Sequence, residues 1–339
     1  MHVPSQHILG PPLPLIIYLH GTGGEGKGES GGTGMRAKAD TVGFILVAPN
    51  AWPWPDWTNF ASDIVARQGY SDIEFVKMLL DVLDEALCFD RNQIYATGYS
   101  NGGIMSSTLA RAGADGRLGG HRLAAIAPVA SMPLVNQLNP AVASNQLPAA
   151  RTLSGLAYVP RAVPPIELCV PSGPSALNSD PIPMHVFYGL TDRLVANGAC
   201  YQSYNDTDNA VIHQFLCDTS ACNSGTGCQG NVVSMVWVAQ CFSRIWAMEN
   251  GCSGAFKDNS NLGTAWGDPN TMRTFDCSQV RGGRGVTLVT IINTPDTPNV
   301  HPNTPEHPDG HIWPGSDRDG GTYKATDAIW DFFNMHRRH

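Results

Sequence analysis

The sequence predicts an α/β protein built on a mostly parallel central sheet with helices on both faces. Three observations carry that expectation. Short, almost wholly apolar runs such as LPLIIYL and FILV stop at glycine- or proline-bearing segments, as strands buried on both faces do. Between two such runs lies a stretch whose apolar residues recur every three or four positions, the pattern of one buried helix face. The alternation of strand and helix with short joints is what parallel crossovers require.

In chain order, Leu15 to Leu19 reads as a strand running into the glycine-rich HGTGGEGKG, and Phe44 to Val47 repeats the signal. From Ser71 to Leu87, the positions Ile73, Val76, Leu80, Leu83 and Leu87 line one helix face. Ile94 to Thr97 is a strand, GYSNGG a sharp turn, Ile104 to Arg111 a helix with small residues for close packing, and Leu123 to Val129 the next strand. Residues 131 to 181 are Pro-rich and irregular, with room for a short helix around Val142 to Leu153. Pro183 to Tyr188 returns as a strand ending in GLTD, Val232 to Glu249 as a helix, and Val286 to Ile292 as a late strand, with Gly251 to Gly285 loop-like between them. Thr326 to Met335 closes the chain as a helix, with Ala328, Ile329 and Phe332 at helical spacing. No repeat or convincing linker interrupts this order, so residues 1 to 339 are expected to form a single domain.

Composition narrows the class. Of the 339 residues 42% are hydrophobic and only 15% charged, which excludes an acidic disordered chain and a coiled coil. A net charge of -8 offers no positive field to a phosphate backbone, so nucleic acid is excluded as a partner. The longest apolar stretches fall far short of the roughly 18 to 20 residues that cross a bilayer, and no membrane association is expected. Nine Cys are many for a reducing compartment, and the later ones stand singly in polar, Gly-rich segments, which favours disulfides and export. Four of them, Cys200, Cys217, Cys222 and Cys228, suggest a disulfide-stapled loop insertion over residues 198 to 230; their spacing does not match a zinc knuckle, so no metal is expected. The first residues lack the basic region and apolar run of a signal peptide, so export implies a mature or trimmed sequence.

The sharpest local signal is Gly98-Tyr99-Ser100-Asn101-Gly102, directly after one predicted strand and before a predicted helix. A serine on such a turn is held out of the helix ladder, and the flanking glycines let strand and helix approach. The plainer reading is a βα turn with a capping serine. A nucleophilic serine needs an acid and then a histidine, each on a later strand end. Asp192 follows the strand MHVFY and His311 follows the late strand, which gives the order Ser100, Asp192, His311. Asp309 and Asp317 compete for the acid, and His301, His307 and His213 for the base. For an oxyanion, converging backbone N–H groups are expected from Asn101 and from the Gly21-Thr22 region of HGTGG, with Thr22 preferred; His20 is read as a structural anchor. The same glycine run lacks the Gly-Lys-Ser/Thr of a phosphate-binding loop.

Trp52, Trp54, Trp57 and Phe60 lie beyond a strand end, and Trp313 is two residues from His311. Rigid Trp-Pro surface suits stacking of a phenolic ring or a polyester segment, so Trp57, Trp313 and Tyr99 are substrate-binding candidates, against the alternative that they pack under loops.

The pieces LPLIIYLHGTGG, LCFDRNQIYATGYSNGGIMSS, AAIAPVA, GLTD, WAMENGC and GHIWPG together resemble the polyhydroxybutyrate depolymerase and feruloyl esterase group of secreted α/β-hydrolase serine esterases. The resemblance implies an α/β-hydrolase fold, with Ser100 as nucleophile, Asp192 as acid and His311 as base. It also implies a disulfide between Cys252 and Cys277. It further implies cofactor-free hydrolysis of carboxylic esters through an acyl-enzyme, on plant cell-wall feruloyl esters or on polyesters such as polyhydroxybutyrate or an aromatic polyester. The alternative is a catalytically inactive carbohydrate- or surface-binding protein on the same fold. Two departures stand out: relatives carry one or two further strands ahead of the first matching piece, and the interval from Asp192 to His311 is long for the group.

Overall fold

Along the first strand the side chains alternate between two buried environments. Leu15, Ile17 and Leu19 join one apolar cluster, while Ile16 and Tyr18 join another on the opposite side. A strand buried on both faces must lie inside a sheet covered by helices, and that is the arrangement found. The computed structural model describes residues 1–4, 10–52, 55–59, 71–131, 170–171, 175–189, 192, 232–257, 271–280, 285, 287–292, 311–316 and 323–338.

Eight strands form one sheet: β1 (Leu13–Leu19), β2 (Ile45–Val47), β3 (Phe89–Tyr99), β4 (Ala125–Val129), β5 (Met184–Gly189), β6 (Phe256–Lys257), β7 (Thr271–Phe275) and β8 (Thr287–Ile292), in the order β2-β1-β3-β4-β5-β8-β7-β6. The first six in that order are parallel, and β7 and β6 extend the β8 edge antiparallel. Helices α3 (Asp72–Ala86), α4 (Asn101–Ala114) and α5 (Val232–Glu249) cover one face through Ile73, Val76, Leu80, Met105, Leu109 and Trp246. The other face is covered by α2 (Met35–Val42) and α6 (Ala325–Asn334), through Met35, Ala39, Ile329, Phe332 and Phe333. Register brings the carboxyl ends of the strands level: Leu19 lies opposite Gly98, Tyr99 opposite Val129, Val129 opposite Phe187, and Gly189 opposite Ile292.

The expected strands and the long helices of the first half are present. Two features differ from the sequence reading. The segment from Gly251 to Gly285, expected to be loop, contributes β6 and β7; Phe275 is buried while Met272 to Thr274 are half-buried, an edge-strand pattern too short to stand out by periodicity. Helix α1 (Gly26–Gly32) forms from GKGESGG, a run of poor helix propensity, because Gly26 N–H donates to Asn50 Oδ1 at 2.7 Å and no Cβ would fit at Gly26 beside the Ala48 carbonyl. The expected helix near Val142 to Leu153 and the insertion at 198–230 lie outside the described residues.

The Cys252–Cys277 disulfide ties the end of α5 to the segment after β7. Cys241 is also disulfide-bonded, and Cys88 is an exposed thiol. Arg111 on α4 pairs with Glu249 on α5, both buried, and its guanidinium lies 4.9 Å over the Trp246 ring. Burial of such a pair away from water makes removal of either partner costly, so it locks α4 against α5.

A buried and a half-buried histidine set an acid limit on this packing. His185 in β5 stacks on Phe187 at 4.2 Å and meets Phe332 at 5.3 Å. Burial lowers its pKa from 6.5 to about 3 and that of neighbouring His336 to about 4. The unfolded chain therefore binds more protons than the folded one below pH 6.5, the ordinary value. Their contribution to stability is complete above that pH and declines as the pH falls through the window toward the lowered values. Thermal melts should show the midpoint falling between about pH 6.5 and pH 4, each histidine contributing a slope of up to about 1.4 kcal/mol per pH unit. His185→Phe, which suits the aromatic surroundings, should flatten that fall; an unchanged slope in this variant would rule His185 out as a source.

Candidate active site

β3 delivers Ser100 at its carboxyl end. A Cβ on Gly98 would lie 2.5 Å from the Gly102 carbonyl carbon, and one on Gly102 would overlap the Leu19 carbonyl, so β1, β3 and α4 meet at backbone contact. Ser100 takes φ 54° and ψ -119°, a conformation L residues seldom adopt, and its N–H donates to the Val129 carbonyl at 2.9 Å. Neighbouring Ala130 is also at positive φ, 46°. The turn thus meets the stereochemical demand of a nucleophile elbow.

Asp192 sits just beyond β5, where its N–H donates to the Gly189 carbonyl at 3.1 Å. Its buried Oδ2 accepts the Nδ1–H of His311 at 2.8 Å across 119 residues of sequence. His311 is itself 2% exposed. The Tyr99 ring lies 4.9 Å from the His311 ring, and Tyr99 OH donates to the His311 carbonyl. The residue before Ser100, a substrate-binding candidate in the sequence, thus also seats the histidine. Among the described residues the buried His311 Nε2 has no hydrogen-bond partner, so it is not bonded to the Ser100 hydroxyl. Catalytic hydrogen bonds of this type often tighten only when substrate is bound. Asp309, Asp317, His301, His307 and His213 lie outside the described residues.

The loop after β1 packs against this elbow: a Cβ on Gly21 would be 2.9 Å from Tyr99 Cδ1 and 3.4 Å from Ser100 Cβ. Within it, Gly21 N–H donates to the Glu29 carboxylate at 3.0 and 3.2 Å, Gly23 N–H to the Pro55 carbonyl at 3.0 Å, and Gly24 N–H to the Gly21 carbonyl at 3.0 Å. Thr22 N–H has no acceptor among the described residues, and neither has Asn101 N–H in the first turn of α4. These two donors can receive a developing negative charge. Gly21, the other donor considered from the sequence, is committed to Glu29.

His20 is buried beneath this loop. Its Nδ1–H donates to the Gly21 carbonyl at 2.8 Å and its Nε2 accepts the Ala51 N–H at 3.0 Å, which defines a neutral imidazole. Burial lowers its pKa in keeping with that state. Glu29 also accepts from Tyr18 OH at 3.0 Å, and burial, with the adjacent carboxylate, raises the Tyr18 pKa so that the phenol stays a donor. Glu29 is a site residue that sequence reading missed, because its helix lies in a glycine-rich run without pattern and its contact with Gly21 is tertiary.

Of the aromatic candidates, Trp57 and Trp313 are buried in the structure. Trp57 is 1% exposed, its ring tilted against that of His20 at 4.9 Å, with its indole N–H donating to the His20 carbonyl at 2.9 Å. Trp313 is 3% exposed, donates to Thr326 Oγ1 at 3.0 Å and lies 5.5 Å from the Tyr18 ring. Both indoles satisfy their N–H groups inside the protein and pack under loops, the alternative weighed for them from the sequence. Trp52 is exposed, and Trp54 and Phe60 lie outside the described residues. Among the described residues no cluster of three or more His, Cys, Asp or Glu could hold a metal ion.

A parallel sheet in this strand order, with a serine elbow after β3, a carboxylate after β5 and a histidine after β8, defines the α/β-hydrolase fold. No family model matches the chain. Over 116 residues the chain is 34% identical to Feruloyl esterase B of Thermothelomyces thermophilus, a match covering 32% of this chain and 38% of that protein. Over 107 residues it is 28% identical to the Bifunctional acetylxylan esterase/xylanase XynS20E of Neocallimastix patriciarum, covering 31% of this chain and 15% of that protein. The match thus spans well under half the length of either relative. Among solved structures, an acetyl xylan esterase from Aspergillus awamori aligns with 98% of this chain and 92% of its own, with TM-score 0.49 and 12% identity.

The Glu29 contact is directly measurable. Glu29→Ala should accelerate amide hydrogen exchange at Gly21 by roughly 10- to 100-fold, the loss expected for a hydrogen bond to a charged acceptor. Glu29→Gln should retain most of the protection, because Oε1 alone accepts from both Tyr18 and Gly21. Equal exchange in wild type and the alanine variant would dismiss Glu29 as the anchor of this loop.

Proposed function

We propose that the protein is a serine carboxylic ester hydrolase acting through an acyl-enzyme on Ser100. The observation that carries this reading is the 2.8 Å hydrogen bond from His311 Nδ1–H to buried Asp192. It holds the Nδ1 proton toward Asp192, so that in the neutral ring the Nε2 lone pair is the basic site. In the first step Nε2 takes the Ser100 Oγ proton as Oγ attacks the ester carbonyl carbon. The imidazolium is stabilised by Asp192, and the oxyanion by the N–H groups of Asn101 and Thr22, each contributing about 3 kcal/mol. Collapse of the tetrahedral intermediate breaks the ester C–O bond, and His311 gives its proton to the departing alkoxide. A water molecule deprotonated by the same Nε2 then releases the acid and restores Ser100. No step calls for a cofactor.

For the substrate we propose feruloyl-type esters of the plant cell wall, a choice supported by matched relatives that bear the names feruloyl esterase and acetylxylan esterase. Export to an oxidising compartment is part of the same reading and is supported by the Cys252–Cys277 disulfide. A matched panel of methyl ferulate, a short p-nitrophenyl ester, polyhydroxybutyrate and an aromatic polyester tests the assignment. The expected order places methyl ferulate above both polymers in specific activity; preferential release of soluble products from a polymer would move the substrate class to polyesters.

Ser100→Ala should fold normally and lose at least about 10⁴ in ester turnover. Residual activity above a tenth of wild type in purified protein would overturn the mechanism. Asp192→Asn should lower kcat far more than Asp309→Asn or Asp317→Asn, with little change in KM, because His311 orientation matters as charge develops. A larger loss at either of the other two aspartates would transfer the acid role to it.

A further inference from the structure

We infer that Trp57 and the side chain of Asn101 form a positioning pair that locks together the two halves of the oxyanion site, an inference that rests on the ester hydrolase reading. The two donors come from separate elements: Thr22 from the loop after β1 and Asn101 from the start of α4. Backbone contact of Leu19 and His20 with Gly102 brings the two elements together. The segment from Pro55 to Asn59 adds a second tie, because it is bonded to both. On the loop side, the Pro55 carbonyl accepts Gly23 N–H at 3.0 Å and the Trp57 indole N–H donates to the His20 carbonyl at 2.9 Å, so the residues flanking Gly21 and Thr22 are held. On the helix side, the Trp57 backbone N–H donates to Asn101 Oδ1 at 2.8 Å and Asn59 Nδ2 donates to the Asn101 carbonyl at 3.2 Å.

Trp57 is the residue that touches both halves, one through its side chain and the other through its backbone. Its ring is buried against His20, so the bridge cannot swing. The segment has its own foot: Thr58 N–H and Oγ1–H donate to Asp72 Oδ2 at 2.7 and 3.0 Å, and Asp72 N–H donates back to Thr58 Oγ1 at 2.7 Å, at the start of α3. Oxyanion donors act only within a few tenths of an ångström of their target position, so a bridge that fixes their separation acts on the transition state and little on substrate binding.

Trp57→Phe removes the indole N–H and keeps the ring; Asn101→Ala removes the Oδ1 acceptor and keeps the backbone donor of that position. Each should lower kcat for a p-nitrophenyl ester by about 10- to 100-fold with KM changed less than about threefold. Affinity for an aryl boronic acid, which forms a tetrahedral adduct on a serine oxygen, should fall by the same factor as kcat. The double variant should lose little more than the more impaired single variant, since both cut one bridge. Unchanged kcat and boronate affinity in Asn101→Ala would overturn the inference, as would a higher KM with unchanged kcat in Trp57→Phe, which would make the ring a substrate wall. Should Trp57→Phe fail to fold, Asn101→Ala decides alone, because it changes a half-exposed side chain to a stronger helix former. Wild-type protein that neither turns over esters nor reacts with a fluorophosphonate would refute the ester hydrolase reading itself. An active wild type with unaffected variants would refute only the bridge.

Discussion

Backbone contact between β1, β3 and α4 is the constraint on which the rest of the site depends. Where Gly98 and Gly102 face each other and Leu19, there is no room for a Cβ, and the chain must turn from strand to helix within one residue. That residue is Ser100, and its φ of 54° is the conformational cost of the turn. The surrounding sheet keeps the turn from relaxing, since Ser100 N–H is bonded to Val129 of the adjacent strand. A side chain held there projects at the carboxyl edge of the sheet, and every other site group is placed relative to it.

Around the elbow, burial is used to keep groups neutral and aimed. His20 is pinned between the Gly21 carbonyl and Ala51 N–H as an uncharged ring, and Tyr18 stays protonated beside Glu29. Neither brings positive charge to the loop; both fix its backbone. The carboxylate of Glu29 takes the Gly21 amide, and the Pro55 carbonyl takes that of Gly23, so the N–H between them at Thr22 is the one left for a ligand. Selection of a donor by satisfying its neighbours is a way of aiming a flexible glycine-rich segment without side-chain bulk.

The far half of the sheet carries Asp192 and leads to His311. β5 and β8 pair in register from Met184 with Thr287 to Gly189 with Ile292, which levels the ends from which Asp192 and the chain toward His311 depart. The Cys252–Cys277 bond and the buried Arg111–Glu249 pair hold α5 against this half and against the helix that follows Ser100. Ser100, Asp192 and His311 thus stand on parts of the core that are cross-braced to each other.

The parallel strands, the amphipathic α3, the elbow and the order Ser100, Asp192, His311 were legible in the sequence because each is written locally, in a run of apolar residues, a period, a glycine spacing or a place after a strand. The Cys252–Cys277 pairing is instead implied by the family resemblance, and the structure forms that bond. Helix α1 and strand β7 were not legible: one has almost no helix propensity and the other is a short edge strand, and both owe their form to what they pack against. Trp57 and Trp313 show the same division within the site. Their sequence context marks them as rigid aromatic surface near the reacting groups, yet whether an indole faces a ligand or the core depends on acceptors far away in the chain, the His20 carbonyl for one and Thr326 for the other. The sequence by itself determined the fold class and the chemical identities at the strand ends. Only the tertiary structure decided which neighbours hold those groups in place, because hydrogen bonds between distant segments leave no period or motif in the chain that makes them.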